Sequence, residues 1–403
     1  MSSESNQVQA TTQAPAFPWI RIQLPNFPTP DRFEPSGVYD PNTNRMIIFG
    51  GINCIPDCFT PPISSFVHFN DVWVLTNANG TGNTTPAWTQ LFPSGTPPSP
   101  RTVNSAIYDP ISNRMTIFGG GNELPPPPQP GLFNLLNDVW ILTNANGTGG
   151  TPQWIQLFPT GSPPASREGH RANYDSTNNR MIVFGGGNNG LMNVPNDVWV
   201  LTNANGLGGT PQWIKTLNTF AIRNERHAQI YDPFSNNMTT FGGCCPWINR
   251  TFILTNANGI FSSTGFEIFP VSPPEPRELR AFGYNPSTNR MVIFGGSLAG
   301  FLFNDVWVLI NANGLGGTPQ WIKTIPHDLP ESPPTNISIE SPGLYDPSTN
   351  RLFSSRLNDL WILTNADALS HPGIIVTSSS ILGLPPFATS SSSSTVSSTG
   401  TGE

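Results

Sequence analysis

The sequence predicts an all-β fold in which one four-stranded unit is copied six times and closed on itself. Three observations carry the prediction. The segment Asn70-Asp71-Val72-Trp73-Val74-Leu75-Thr76-Asn77-Ala78-Asn79-Gly80 returns nearly letter for letter from Asn137 to Gly147, Asn196 to Gly206 and Asn304 to Gly314, with weaker copies from Asn249 to Gly259 and from Asn358 to Asp367. Six copies at a spacing of roughly 53 to 67 residues mark a repeat array rather than independent domains. Charged residues make up only 11% of the 403 residues, whereas Gly and Pro number 38 and 44, so turns are frequent and strands short. No helical period appears; strand-forming runs alternate with turn punctuation instead.

The third copy shows each element in order. Strand A follows Arg167-Glu168-Gly169-His170 and runs through Arg171-Ala172-Asn173-Tyr174-Asp175. Strand B is Arg180-Met181-Ile182-Val183-Phe184 before Gly185-Gly186, strand C is Asp197-Val198-Trp199-Val200-Leu201, and strand D begins at Trp213-Ile214. Strands B and C are rich in β-branched and aromatic residues, and Asp-Ser/Pro, Gly-Gly and Asn-Ala-Asn-Gly separate the strands as tight turns require. Four antiparallel strands cannot bury both faces alone, so each sheet stacks on its neighbours, and a ring of sheets leaves no long exposed edge.

These residues resemble the kelch family: an Arg before strand A, Tyr-Asp-Pro turns, Phe-Gly-Gly closing strand B, Asn-Asp-Val-Trp opening strand C, and Trp starting strand D. The resemblance implies a six-bladed kelch-type β-propeller and covers nearly the whole chain outside its two ends. It specifies the fold far more than the task, since one fold serves many tasks.

The aromatics fit a scaffold role. All six tyrosines, Tyr39, Tyr108, Tyr174, Tyr231, Tyr284 and Tyr345, occupy one repeat position. Ten of the eleven tryptophans occupy two others, with Phe252 and Phe266 expected to fill the gaps in blade four, and only Trp247 stands outside the pattern. The orphan strand beginning at Trp19 is expected to complete the last blade; Ile374-Ile375-Val376 is the rival. Blade six has no Phe-Gly-Gly and is expected to lack much of the end of its strand B and the following loop. Residues 1–18 are expected to be a flexible N-terminal segment, 19–367 the propeller, and 368–403 a Ser/Thr-rich low-complexity tail.

Strand alternation puts the uniform Tyr-Asp-Pro turns and Asn-Ala-Asn-Gly loops on one face, the bottom, and the individual loops on the other, the top. In kelch propellers that this chain resembles, the arginines before strand A lie near the mouth of the central channel, where acidic groups of a partner can meet them. The candidate binding residues are Arg32, Arg101, Arg167, Glu168, His170, Arg223, Arg226, His227, Trp247, Arg277, Glu278 and Arg280. The alternative for the arginines is internal, to loop carbonyls and adjacent acids such as Glu168, Glu225 and Glu278. Pro125-Pro126-Pro127-Pro128 stiffens the top loop of blade two, or serves as a polyproline ligand.

Four cysteines form two sequence-local pairs, Cys54 with Cys58 and Cys244 with Cys245, as disulfide candidates; the second pair can equally be two thiols. No C-x-x-C spacing supports a metal site, none is expected, and no cofactor motif is present. Lys215 and Lys323 are the only lysines and the net charge is -7, so nucleic acid is not an expected partner. No apolar run is long enough for a membrane-spanning helix. Low charge suits an extracellular or surface-exposed protein slightly better, although Met1 to Asn6 lacks the order of a signal peptide.

The expected function is a non-catalytic binding module whose top-face loops capture a protein, peptide or glycan. No catalytic residue is assigned. One alternative is a carbohydrate-active enzyme of the sugar isomerase or lyase type using Glu168, His170, His227 or Glu278; the other is a structural or adhesive surface protein.

Overall fold

The computed structural model describes residues 19–28, 30–55, 65–123, 133–187, 196–216, 224–244, 246–324, 341–356 and 358–368, all within one compact unit, Pro15–Ser370. The expected Pro125–Pro128 feature, Arg223, Cys58, Cys245 and the rival strand Ile374–Val376 lie outside these residues. Every regular element described is a strand: β1 (Trp19–Gln23), β2 (Ser36–Asp40), β3 (Arg45–Phe49), the hairpin β4 (Ile52–Ile55) and β5 (Ser65–His68), β6 (Val72–Thr76) and β7 (Trp88–Leu91). Blade two comprises β8 (Ser105–Asp109), β9 (Arg114–Glu123), β10 (Phe133–Thr143) and β11 (Gln153–Leu157); blade three β12 (Arg171–Asp175), β13 (Arg180–Phe184), β14 (Val198–Thr202) and β15 (Gln212–Thr216). Blade four comprises β16 (Ala228–Asp232), β17 (Asn237–Phe241), β18 (Thr251–Thr255) and β19 (Thr264–Ile268); blade five β20 (Ala281–Asn285), β21 (Arg290–Leu298), β22 (Phe301–Ile310) and β23 (Gln320–Thr324). Blade six comprises β24 (Leu344–Asp346), β25 (Arg351–Arg356) and β26 (Asp359–Thr364), and β1 is its outer strand.

Each blade is a four-stranded antiparallel sheet, and the inner strands β2, β8, β12, β16, β20 and β24 neighbour one another around a closed ring of six. Closure uses the N-terminal strand: Trp19 pairs with Leu363 and Gln23 with Asp359. The core is six cores, one at each junction. Between blades one and two, for example, Val38, Ile47, Phe49 and Val74 meet Met115, Ile117, Trp140 and Trp154. Tryptophans of the outer strands lie on the Phe of the preceding blade's Phe-Gly-Gly, as Trp154 on Phe49 at 5.1 Å and Trp321 on Phe241 at 4.5 Å between ring centroids.

The bottom loops tie the blades together. Asn146 donates to Asp40 of blade one at 2.7 Å, and the same bond joins Asn205 to Asp109, Asn258 to Asp175, Asn313 to Asp232 and Asn79 to Asp346. In return Arg45, Arg114, Arg180, Arg290 and Arg351 each donate to a backbone carbonyl of the following blade, and Asn237 does so in blade four. Each tyrosine hydroxyl donates to the Asn five residues on, which holds a left-handed turn conformation, as at Asn44 with φ 52°.

Two expectations need correction. In blade six β25 is full length, so only the Gly-Gly and the loop are lost. In blade four Phe252 takes the tryptophan position of strand C, but the outer-strand register places Gly265, not Phe266, opposite Leu254, where Trp213 faces Leu201 in blade three. Phe266 falls on the other face of the strand and is 45% exposed, because side chains alternate across a strand.

Candidate functional site

The arginines before the inner strands divide into two sets. Arg32, Arg101, Arg167 and Arg277 are buried in their blades. Arg101 Nη1 donates to Gly119 O at 3.0 Å, and its two Nη groups bind the carboxylate of Asp138 at 2.6 and 2.8 Å. Arg32 with Asp71, Arg167 with Asp197 and Arg277 with Asp305 repeat this. The Asp also accepts the indole N–H of the tryptophan two residues on, at 2.7 Å for Trp140 and Trp199. Burial pushes Asp138, Asp197 and Asp305 up, but the hydrogen bonds and charge of the arginines outweigh it and hold these carboxyls low. These four guanidiniums hold strand C and the Gly-Gly bend, so the expectation that they present donors to a partner is corrected. Their acid is the strand-C Asp, not Glu168, Glu225 or Glu278.

Blade four has lost this unit as a whole. Asn224 takes the arginine position, Arg250 that of the Asp and Phe252 that of the Trp. Arg250 pairs instead with Glu267 on β19. Among the described residues the buried side chain of Asn224 has no hydrogen-bond partner for either polar atom.

Arg226 and Arg280 belong to the other set and stand at the mouth of the channel. The bridges Glu168 to Gly187, Glu225 to Cys244 and Glu278 to Ser297 show that the three glutamates occupy one repeat position, and Glu34, Val103, Gly169, Arg226 and Leu279 occupy the next. Backbone bonds run around the mouth through that second set: Val103 N to Glu34 O, Gly169 N to Val103 O, Arg226 N to Gly169 O and Leu279 N to Arg226 O. Glu34 and Arg226 both adopt left-handed backbone, φ 56° and 55°.

From blade one Glu34 reaches across the ring. It accepts from Arg226 of blade four at 2.9 Å and from Arg280 of blade five. Arg226 also lies 3.6 Å from Glu225 and 3.8 Å from Glu278. Arg171 donates Nε to His227 O at 2.8 Å and Nη2 to Leu279 O, with Phe282 beneath its guanidinium. Burial works against ionisation of Glu34, but Arg226, Arg280 and Arg171 hold it low. Glu34 more than any other group raises Arg226, while burial, then the charges of Arg280 and Arg226, press Arg171 down to about 9. Glu168 is different. Its burial is opposed only by charges at a distance, which leaves it at about 7, and Glu225 is raised by burial too.

Below the mouth lies a channel cavity of about 470 Å³, lined by Ser36, Asn104, Ser105, Asn173, Gln229 and Phe282 among others. His170 Nε2 lies 2.9 Å from Ser105 Oγ, and His227 Nε2 lies 3.0 Å from Gln229 Oε1. Burial drives His170 well below its ordinary range and His227 to about 3, so both imidazoles are neutral. Each ring is occupied by its own neutral partner, and no described hydrogen bond joins either to Glu168.

The remaining candidates fall elsewhere. Trp247 is 42% exposed in the loop joining β17 and β18, and Cys244 is buried at the start of that loop. Cys54 lies on β4. Glu34 and Arg171 were not among the sequence candidates. Aligning blade one with blade four on Tyr39 and Tyr231, each five residues further on, would have paired Glu34 with Arg226 as an opposite-charge exchange.

The KLHDC2/KLHL20/DRC7 Kelch-repeats domain model matches residues 134–313. Kelch domain-containing protein 3 of Bos taurus is 27% identical over 154 residues, 38% of this chain and 34% of that protein. The Rab9 effector protein with kelch motifs of Homo sapiens is 32% identical over 108 residues, 25% of this chain and 26% of that protein. The matches thus span about a third or less of these relatives. The solved structure of YjhT has a TM-score of 0.53 at 14% identity and covers 84% of this chain and 95% of that one, a likeness of fold. The six repeats, the ring of six blades and these matches together support a kelch-repeat family for this six-bladed β-propeller.

Proposed function

We propose that the chain is a non-catalytic interaction module that receives a polar, charged segment of a partner protein at the mouth of its channel. One observation carries this reading. The repeat consumes four of its arginines inside the blades, while Glu34, Glu168, Arg171, Glu225, Arg226, Glu278 and Arg280, from four different blades, gather at the mouth. Charge brought together at that density on a rigid frame serves recognition more readily than folding, since burial makes it costly. The kelch-propeller fold fits a protein-interaction role in general, and one relative is by name an effector of another protein. The enzyme alternative has no support: its two histidines are neutral, engaged with Ser105 and Gln229, and do not converge with Glu168.

The test places a photo-crosslinking residue at Val103 or Trp247 on the top side and at Ile111 or Phe234 on the bottom. Adducts mapped by mass spectrometry should come from the top positions. Adducts from the bottom positions alone would refute the assignment.

A further inference from the structure

Given that reading of the mouth, we infer that the group it receives is cationic, a lysine or arginine side chain of the partner, and that Glu168 accepts it. Among the described residues the charges at the mouth do not balance. Four carboxylates, Glu34, Glu168, Glu225 and Glu278, face three guanidiniums, and each guanidinium already has acceptors: Glu34 for Arg226 and Arg280, and two backbone carbonyls for Arg171. Glu168 is the carboxylate left over. It is only 7% exposed, and among the described residues it forms no ion pair and its Oε2 has no hydrogen-bond partner. A buried acceptor in that condition is a site missing its donor.

A second carboxylate flanks the same spot. Glu168 exchanges backbone hydrogen bonds with Gly187. Glu225 lies over that glycine, its Oε2 2.4 Å from where a Cβ on Gly187 would stand, and its Cγ 2.6 Å from the corresponding point on Gly169. The two glycines therefore leave the space that the Glu225 side chain fills beside the Glu168 backbone, and the charge of Glu225 adds to burial in raising Glu168. Arg226 serves Glu225 from one side, and a second cation completes the pair. A metal ion is a poorer occupant, since no described cluster of His, Cys, Asp or Glu is arranged to hold one. An acidic ligand would first have to displace Glu34 from Arg226 and Arg280 and then face three further glutamates.

The experiment titrates the full chain at low ionic strength with three blocked tripeptides, acetyl-Gly-Lys-Gly-amide, acetyl-Gly-Arg-Gly-amide and acetyl-Gly-Glu-Gly-amide, by calorimetry in buffers of different ionisation heat. The basic probes should bind at least about tenfold more tightly than the acidic one, and Glu168→Gln should lower their affinity by about tenfold. Near neutral pH their binding should release a proton from Glu168, and Glu168→Gln should abolish that release. A chemical denaturation curve of the variant verifies folding, and Glu225→Gln should lower affinity in the same direction. Preference for the acidic probe, failure of all three to bind, or basic binding unchanged in Glu168→Gln would each overturn the inference. Top-side crosslinking together with acidic preference would leave the mouth as the partner site while removing its cationic assignment. Basic binding with crosslinks only from the bottom would do the reverse.

Discussion

Asn285 donates its side-chain amide to Asp367 at 2.8 Å, reversing the direction of the bond that joins the blades at the other five junctions. Elsewhere the inner strand ends in Asp and the following blade contributes Asn. Between blades five and six the two residues have exchanged places, and the bond survives. Asn285→Asp should set two carboxylates against each other and destabilise the ring by about 1–3 kcal/mol. The double exchange, Asn285→Asp with Asp367→Asn, should recover most of that loss. Denaturant unfolding of the four species as a mutant cycle measures the coupling, and additive effects would show that the pair does not act as a unit.

The arginines inside the blades should behave as structure. Arg101→Ala or Arg167→Ala leaves a half-buried Asp and its indole partner without the guanidinium, with only the exposed Lys215 still 3.5 Å from Asp197, at a cost of about 3–5 kcal/mol. Asn224→Ala in blade four, where the unit is already gone, should cost far less or stabilise, since it removes two unpartnered atoms. Melting temperatures of the three variants give the comparison.

Ring closure rests on β1 more than on its ion pair. Arg21 binds Asp359 through two hydrogen bonds of 2.9 and 3.0 Å, but the pair is open to solvent, so Arg21→Ala should cost about 1 kcal/mol or less. Deleting residues 1–24 removes the outer strand of blade six, together with Trp19 from the blade five to six core and Leu24 from the core between blades six and one. The shortened chain should lose cooperative unfolding. A single sharp transition at the original denaturant midpoint would contradict this closure.

Glu168 gives stability a defined pH dependence. Its carboxyl titrates at about 7 in the fold, above the ordinary glutamate value of 4.5, so between those values the folded state holds more proton than the unfolded one. Its contribution is undiminished below about 4.5 and declines as pH rises to about 7, by a total on the order of 3 kcal/mol. Glu168→Gln should flatten that segment of the stability curve. His227, at about 3 in the fold, acts at the acid end, where stability falls as pH drops below the ordinary histidine range because the unfolded chain takes up the proton first.

Much of the fold was legible because repetition makes position visible. The tyrosine spacing, Phe-Gly-Gly and the strand beginning at Trp19 gave the strands, the ring and its closure. The site was less legible. Arg167 and Arg226 look alike in the sequence, yet one is sealed by Asp197 and the other crosses the channel mouth to Glu34. The correlated loss of Arg, Asp and Trp in blade four was the available clue that the first set is a structural unit. Phe266 misled because an aromatic one residue out of register resembles a substitute for Trp, whereas a strand turns it to the opposite face.

The sequence by itself determined what recurs: six units, their strand order, the polar loops of one face and the aromatic packing between blades, since these follow from local patterns that every copy repeats. Only the tertiary structure decided which charges meet, because Glu34 and Arg226 lie 192 residues apart and on opposite blades, and closing the ring is what brings them to 2.9 Å.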